Sequence, residues 1–461
     1  MDIHLRYGLE DRPRGMTTLF LGLQHVLTML GATIAVPTII AGAYGLSVTE
    51  TALLISNVLV AMGIATFLQT KFGSRLPIIQ GSSFAFLPAL LYVSTLYPGV
   101  EGLQYAMGAL MVGAVFQFVL GLSKVAGLLQ RVLTPVVVGP TIIVIGLSLF
   151  SVGGSEASTN WVVSAMTAVL ILVLSFGIRG LKGTHKSWFS TFPVILAITI
   201  AWLICFGLSI IGVIGPNEAA YIDFASLKVD SIVKTSGYIL PWGLPKFDLA
   251  FLLIFLIAYL VSTVESVGDY NAISEISTSD DRPVSQDTVN RGVMAEGFGC
   301  FVSTLLGGVA TTSYSENIGV VGITRVASRV VVIAAAALLV FIGLFPVFGN
   351  ILATIPSPVI GGLYFVLFGM IAGVGLRYTA KANLVSMRNI SIIGLSLFAG
   401  FAIPSVFGAA DMRDVLVQSF GRGFADTLLG VLASSMAVTA MTALFWDSVL
   451  TKEAVSPLKP V

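Results

Sequence analysis

The sequence contains few charged residues and few cysteines. Only 10% of its 461 residues are Asp, Glu, Lys or Arg, whereas a soluble domain carries about 25%. This shortage excludes a soluble enzyme or nucleic-acid-binding protein, and the net charge of +1 gives no bulk attraction for a charged partner. Cys205 and Cys300 are the two cysteines, and both lie in apolar runs. A disulfide framework or a thiolate metal site is therefore not expected.

Motifs for energy supply and for catalysis are also missing. The sequence has no GxxxxGK[ST] loop for ATP and no HExxH motif for a catalytic metal. Ser266–Asp269 is only loosely similar to the GxGD of intramembrane aspartyl proteases, because the first Gly is missing. We therefore expect neither an enzyme nor a bound cofactor.

Apolar residues and glycine are abundant, at 56% of the chain and 48 residues respectively. A helix needs about 20 apolar residues to cross the hydrocarbon core of a membrane. The runs and breaks predict an all-α polytopic membrane protein with fourteen spans, at 16–41, 48–70, 75–97, 103–123, 131–152, 160–179, 188–213, 248–269, 288–306, 312–324, 328–350, 357–375, 387–405 and 425–450.

Basic residues predict the orientation of these spans. If the N-terminus is cytoplasmic, 19 of the 24 Lys and Arg residues fall in inside segments. The five others lie in outside segments: Lys228, Lys234, Lys246, Arg413 and Arg422. Such a bias is the pattern of cytoplasmic loops in membrane proteins. We therefore expect an integral plasma (inner) membrane protein with both termini in the cytoplasm.

The spans divide into two sevens around a long outside loop at 214–247. An odd number of spans in each half places the halves in opposite orientations, which is the plan of an inverted-repeat transporter. The third span in each half is interrupted by polar residues, at Gln80–Ser83 and at Thr311–Asn317. Paired interruptions of this kind indicate a binding site near the middle of the membrane.

Three acids within the spans are candidates for binding and coupling. Glu265 and Asp269 are four residues apart, so they share one face of the eighth span. Two carboxylates that close in low dielectric are not expected to ionise together, which suits a proton carrier. Glu316 lies in the interrupted tenth span. The alternatives are that Asp269 is solvated near the cytoplasmic end of its span and that Glu316 belongs to a solvated helix cap.

Other polar residues in the spans favour structural roles. His25 could relay protons, but it more simply satisfies a polar neighbour. Glu296 in the ninth span is expected to be a buried, protonated structural acid. Asn317 is expected to brace the broken tenth span through side-chain hydrogen bonds.

Several motifs together are similar to those of the nucleobase–ascorbate transporter family. Glu316–Arg325 (ENIGVVGITR) fits the family signature [Q/E/P]-N-x-G-x-x-x-x-T-[R/K/G]. Leu23–His25 (LQH) resembles the first-span Gln-His motif, and Gly81–Phe86 (GSSFAF) the third span of bacterial uracil permeases. Val264–Tyr270 and Asn290–Gly297 resemble the animal ascorbate and nucleobase branch.

The resemblance implies a fold and a domain organisation. It implies two inverted repeats of seven spans, with short extended stretches in spans 3 and 10. Spans 1–4 and 8–11 would form a core domain, at 1–123 and 248–350. Spans 5–7 and 12–14 would form a gate domain, at 124–247 and 351–461. The resemblance also implies a homodimer in which core and gate move by an elevator mechanism.

The resemblance also implies roles for individual residues. Those implied to contact the substrate are Glu265, Glu316, Phe84, Tyr314, Ser315, Phe368 and Ala32. Asp269, with Glu265, is implied in proton coupling. Residues implied to support the site are Gln24, His25, Asn317, Thr324 and Arg325.

The substrate signals in the sequence point in different directions. By resemblance, Glu316 matches uracil permeases, Asp269 matches purine carriers for xanthine or uric acid, and the flanking sequence matches the ascorbate branch. A nucleobase edge offers N–H groups to carboxylates, whereas anionic ascorbate would be repelled by two glutamates. We therefore predict a proton-coupled nucleobase symporter. The alternatives are a sodium-coupled nucleobase or ascorbate transporter and, more remotely, an anion exchanger or channel with the same seven-plus-seven plan.

Overall fold

The computed structural model describes residues 5–130, 132–177, 193–223, 238–278, 284–408 and 410–450. Within these residues the chain forms nineteen α-helices, one 3-10 helix at Phe84–Phe86 and two short strands. Their bounds are α1 Gly15–Tyr44, α2 Val48–Lys71, β1 Gln80–Ser82, α3 Leu87–Leu96, α4 Gly99–Leu122, α5 Val125–Leu129, α6 Pro135–Ser148, α7 Phe150–Ser158, α8 Trp161–Phe176, α9 Pro193–Ile210, α10 Leu249–Thr278, α11 Gln286–Leu305, β2 Thr311–Ser313, α12 Ser315–Thr324, α13 Arg329–Leu344, α14 Pro346–Ala353, α15 Ser357–Thr379, α16 Met387–Phe407, α17 Ala410–Phe420, α18 Arg422–Leu432 and α19 Ser435–Val449.

Every predicted span contains at least one of these helices, so the predicted all-α membrane architecture is confirmed. In the described part of the chain, seven helices are long and apolar enough to cross a membrane, and three bent helix pairs bring the number to ten. Shorter apolar helices at Phe84–Leu96 and Trp161–Phe176 occupy the predicted third and sixth spans. The broken tenth span is represented by β2 and α12.

Two of the predicted spans are sharply bent. The predicted span 328–350 is bent by 82° between α13 and α14, and 425–450 is bent by 77° between α18 and α19. Pro346, the first residue of α14, has no N–H with which to continue the helix before it. Ser434 caps the N-terminus of α19 by accepting a hydrogen bond from the N–H of Ala437. Local turn chemistry therefore overrides the continuous apolar pattern.

The stretch 406–424, between the last two predicted spans, contains α17. Leu416 of α17 is buried in a small cluster with Ala425 and Leu429 of α18. This packing gives the stretch a helical structure that its polar composition did not indicate.

Helix contacts show the inverted repeat directly. α2 packs on α13, and the equivalent pair in the exchanged halves, α11 and α4, also packs together. The same holds for α1 on α13 and α10 on α4, and for α8 on α9 and α16 on α19. Each of these helix contacts thus has a counterpart in which the equivalent helices of the two halves are exchanged, as two repeats related by a two-fold axis require.

Glycines allow the closest of these helix contacts. A Cβ at Gly63 of α2 would lie 2.6 Å from Cγ2 of Val340 on α13. In the equivalent contact, a Cβ at Gly297 of α11 would lie 2.9 Å from the carbonyl oxygen of Ala114 on α4. Small residues bring backbones together in membranes, where helix packing depends on van der Waals contact.

The two interrupted spans meet at the centre of the fold. β1 and β2 pair antiparallel, with Gln80 opposite Ser313 and Ser82 opposite Thr311. The pairing extends beyond the strands, because the N–H of Tyr314 donates to the carbonyl of Ile79 at 3.0 Å. Non-helical backbone at membrane depth must be satisfied within the protein, and this two-stranded sheet provides the partners. α12 begins directly after its strand, and α3 follows after the 3-10 turn.

Candidate functional site

Asp269 on α10 is completely buried, with none of its surface exposed. Its Oδ2 accepts a hydrogen bond from the hydroxyl of Ser313 at 2.8 Å, and its Oδ1 accepts one from Ser315 at 2.7 Å. The alternative that Asp269 is a solvated residue at a span end is therefore wrong. The carboxyl group is held at the point where β2 ends and α12 begins.

Glu265 lies one turn before Asp269 on α10 and is partly exposed. The structure therefore places the two acids on one helical face, as their spacing predicts. Glu265 is the more accessible of the two. The exposure of Glu265 does not include its Oε2 atom, which is buried, whereas both carboxyl oxygens of Asp269 accept hydrogen bonds from serine hydroxyls.

Glu296 on α11 forms a second carboxyl centre next to the first. Its Oε1 accepts hydrogen bonds from the hydroxyl of Ser266 at 2.8 Å and from the N–H of Ser313 at 3.2 Å. Its Oε2 accepts one from the hydroxyl of Tyr270 at 3.1 Å, and Gln69 of α2 donates to the same tyrosine oxygen at 2.6 Å. Ser313 thus contacts both Asp269 and Glu296.

The sequence-predicted site did not include Ser313 and Glu296. For Glu296 a signal existed, since it is an acid in the ninth span, and the structure buries it with hydrogen bonds as expected of a structural acid. Ser313 is an ordinary serine in an interrupted span. Its importance follows only from the position of β2 between α10 and α11.

His25 and Asn317 connect the first span to the broken tenth span. Nδ1 of His25 lies 2.8 Å from Oδ1 of Asn317, and both residues are buried. Nδ2 of Asn317 donates to the carbonyl of Pro77 at 2.9 Å, just before β1. The hydrogen bonds expected of Asn317 are therefore present, and the geometry favours the structural interpretation of His25. Gln24 precedes His25 on α1 and is partly buried.

Thr324 and Arg325 end α12. The hydroxyl of Thr324 donates to the carbonyl of Val320 at 2.8 Å, and Arg325 adopts the left-handed conformation with φ of 57°. The carbonyl of Arg325 accepts the N–H of Arg6 at 2.8 Å, so the N-terminal segment is attached to this turn. These two residues support the helix from its far end and lie away from Asp269 along the chain.

Aromatic rings from the 3-10 turn after β1 and from α15 pack against each other. Phe84, in the 3-10 turn after β1, packs edge to face on Phe368 of α15, with ring centroids 5.9 Å apart. Tyr364 stacks on Phe368 at 5.1 Å, and its hydroxyl donates to the carbonyl of Ala35 on α1 at 3.0 Å. Ala32, also on α1, is buried. The structure therefore brings the predicted contacts Phe84 and Phe368 together.

The side chains of Tyr314 and Ser315 already have partners within the protein. The ring of Tyr314 covers Gly81, where any Cβ would overlap it, and its hydroxyl lies 3.1 Å from Oγ of Ser82. Ser315 donates to Asp269. The backbone of Tyr314 is also paired, because its N–H donates to the carbonyl of Ile79 and its carbonyl accepts from the N–H of Asn317.

Glu316 lies in the first turn of α12, and its side chain is outside the described part of the structure. The N-terminus of a helix carries partial positive charge from its unpaired N–H groups. Here that terminus lies beside a buried carboxylate. The site can therefore offer a polar ligand both acceptors and donors within a few residues.

Comparison with known proteins identifies the family. Residues 16–409 match the Xan_ur_permease model, described as Permease family. Solute carrier family 23 member 2 of Homo sapiens is 35% identical over 447 residues, covering 87% of this chain and 68% of that protein. Nucleobase-ascorbate transporter 1 of Arabidopsis thaliana is 30% identical over 468 residues, covering 97% and 90%. The chain belongs to the nucleobase–ascorbate transporter family.

This nucleobase–ascorbate transporter family member shares its fold with more distant membrane transporters. The transmembrane domain of the cyanobacterium bicarbonate transporter BicA matches with a TM-score of 0.52 and 17% identity, over 92% of this chain and all of that one. The murine anion transporter Slc26a9 matches with 0.58 and 12%, over 91% and 69%. The chain is thus an integral membrane protein with a transporter fold, and its sequence places it among permeases.

Proposed function

We propose that this protein imports a nucleobase, either uracil or a purine such as xanthine or uric acid, together with protons. One observation carries the proposal. Asp269 is a fully buried carboxyl held by Ser313 and Ser315 at the junction of an extended strand and a helix start, one turn from the more accessible Glu265. Binding and coupling groups are therefore adjacent but chemically separate.

The polar edge of a nucleobase fits the donors and acceptors around the sheet. A carboxylate accepts hydrogen bonds from ring N–H groups, and backbone N–H groups donate to ring carbonyls. In this proposal Glu265 and Glu316 accept from the ring, and the starts of α3 and α12 supply the backbone donors. Phe84 and Phe368 lie on two sides of the ring, after separating from their present edge-to-face contact.

Asp269 carries the coupling proton in this proposal, with Glu265 as its neighbour. A buried charge in the membrane costs several kcal/mol, so protonation lowers the cost of moving α10 through the membrane. The two serine hydroxyls stabilise the charged form, because hydrogen bonds to an ionised carboxylate are stronger than neutral ones. Proton uptake therefore weakens the attachment of α10 to β2 and α12.

The proposal includes a core domain at 1–123 and 248–350 that moves as an elevator against a gate domain at 124–247 and 351–461. Helix contacts support this division, since α1, α2, α4, α10, α11 and α13 pack mainly on one another. We also propose a homodimer in the plasma (inner) membrane with both termini in the cytoplasm. Chemical cross-linking and protease protection in oriented vesicles test these parts.

Uptake by proteoliposomes tests the transport proposal. Labelled uracil, xanthine, uric acid and ascorbate are offered under an imposed proton gradient or an imposed sodium gradient. We expect one base to accumulate with the proton gradient alone, and Glu265→Gln to abolish this uptake in a folded protein. Accumulation of a base or of ascorbate only with sodium overturns proton coupling, and ascorbate alone overturns the substrate class.

An anion exchanger on the same fold is the second class to exclude. Its site should present a cation to the substrate. Asp269 and Glu296 are instead surrounded by donating hydroxyls of Ser313, Ser315 and Tyr270. Labelled bicarbonate or chloride exchange in the same proteoliposomes distinguishes the two functions.

A further inference from the structure

Two contacts join the C-terminal half of α10 to the end of α15. The hydroxyl of Tyr378 on α15 donates to the carbonyl of Gly268 on α10. About two turns further along α10, Oε2 of Glu275 lies 2.9 Å from Nζ of Lys381, just beyond the end of α15. We call these two contacts the α10–α15 clamp, and the membrane face where they lie the Glu275 face.

The Tyr378 contact is made to the backbone of Gly268, the residue that precedes the buried Asp269 on α10. Gly268, the residue before Asp269, leaves room for the tyrosine, because a Cβ there would lie 3.1 Å from the Tyr378 ring. The ring belongs to an apolar cluster with Val138 of α6 and Val264 of α10, and it is itself 9% exposed. A buried tyrosine ring is therefore packed between α15 and the part of α10 that carries Asp269.

The Lys381 contact holds the same tyrosine in place. Nζ of Lys381 lies 5.4 Å from the centroid of the Tyr378 ring, within the range of a cation–π contact. The lysine thus touches both Glu275 and Tyr378. Both side chains of the ion pair are 46% exposed, so water can reach this pair before it reaches Tyr378.

We propose that the α10–α15 clamp closes the path from the Glu275 face to Asp269, and that Tyr378 is a positioning residue for this carboxyl. Breaking Tyr378 from Gly268 and Lys381 from Glu275 admits water to Asp269 on that face. The inference rests on the proposed function only in taking Asp269 as the coupling group. The closure itself is a property of the fold that can be measured without any substrate.

A second side-chain contact, between α3 and α18, lies at the opposite membrane face and provides a matched control. The hydroxyl of Tyr92 on α3 donates to Oδ1 of Asp426 on α18 at 3.2 Å, and Nε of Arg413 donates to the same oxygen at 2.9 Å. In the predicted span order, this link lies at the opposite ends of the spans from Glu275 and Lys381. Weakening it should not admit water from the Glu275 face.

Cysteine labelling tests the clamp. Ala272→Cys places a thiol between the two clamp contacts, in the side-chain layer that packs against Tyr378. Thr278→Cys marks the exposed end of α10, and the parent chain, whose Cys205 and Cys300 are buried, gives the background. A membrane-impermeant maleimide is applied to sealed vesicles of each orientation without substrate. Val374→Cys, in the same cluster on α15, serves as a second reporter.

We expect the maleimide to label the Ala272→Cys variant slowly while the clamp is intact. Lys381→Glu should speed this labelling about two- to fivefold, as expected for loss of a half-exposed ion pair. Tyr378→Phe should speed it about five- to tenfold through loss of a buried hydrogen bond. Glu275→Lys combined with Lys381→Glu should restore slow labelling, whereas Asp426→Asn and all labelling at 278 should stay unchanged.

Three outcomes overturn the proposal. They are fast labelling of both reporters in the intact clamp, no acceleration by Tyr378→Phe and Lys381→Glu, and no restoration by the exchanged charges. None of these readings depends on transport. If uptake shows a different substrate or coupling ion while the labelling pattern holds, the proposed function fails and the clamp stands.

Discussion

The hydroxyl of Ser313 lies 2.8 Å from Oδ2 of Asp269, and this hydrogen bond joins a broken membrane span to a continuous one. Because the backbone N–H of Ser313 also donates to Glu296, one residue of β2 connects α10 and α11. A change in the charge of Asp269 would therefore act on β2, the strand that precedes α12.

Asp269→Asn should separate transport from coupling. Asparagine keeps one oxygen that can accept from a serine hydroxyl, but it carries no titratable charge. We expect gradient-driven accumulation to be lost while exchange of labelled substrate across the membrane persists at a reduced rate. Uptake under a proton gradient, compared with counterflow at equal pH, measures the two activities, and unchanged accumulation would contradict the assignment.

Ser313→Ala should reduce uptake through Asp269. The variant removes a hydrogen bond to a charged group, worth about 1.5–3 kcal/mol, but keeps the backbone N–H that donates to Glu296. We expect roughly a tenfold lower rate or more, and little added effect when Asp269→Asn is already present. Additive effects of the two changes in initial-rate measurements would show that the serine acts elsewhere.

Glu296→Ala should lower stability more than Glu296→Gln. Removing the carboxyl leaves the buried donors of Tyr270 and Ser313 without their acceptor, at about 1–3 kcal/mol for each unsatisfied group. Ser266, by contrast, can still donate to the carbonyl of Ser262. Glutamine retains one acceptor oxygen, so its loss should be smaller. Thermal unfolding in detergent measures both variants, and equal melting temperatures would refute the structural role.

Gly81→Ala should be poorly tolerated, because its methyl group would overlap the ring of Tyr314. Displacing that ring breaks its contact with Ser82 and disturbs the β1–β2 pairing. We expect reduced yield of folded protein and loss of uptake. Gly42→Ala is the matched control, since nothing lies within 4 Å of its added Cβ and alanine favours helices. Equal behaviour of the two variants in size-exclusion chromatography would exclude this packing argument.

The spans and the interruptions were predictable from sequence because both depend on local composition. Long apolar runs have few stable conformations in a membrane other than helices, and polar residues at 80–83 and 311–317 break the pattern visibly. The bends at Pro346 and Ser434 were missed, since a single capping residue weighs little against the surrounding apolar run. α17 was missed because its polar residues resemble those of a loop.

The candidate site was predictable only as a set of residues. Spacing alone places Glu265 and Asp269 on one face of α10. The partners of Asp269 depend on the antiparallel pairing of β1 with β2, whose residues are more than 200 positions apart. No local pattern distinguishes Ser313 from other serines in the chain, and none connects Tyr378 with the carbonyl of Gly268.

The sequence by itself determined that this chain is a helical membrane protein in two halves, because the scarcity of charge and the length of apolar runs leave no other environment for it. It also determined which acids lie within the membrane. The tertiary structure decided which of these acids are sealed and which are accessible. Burial depends on elements from distant parts of the chain, and these enclose Asp269 with the hydroxyls of Ser313 and Ser315 while leaving Glu265 partly exposed.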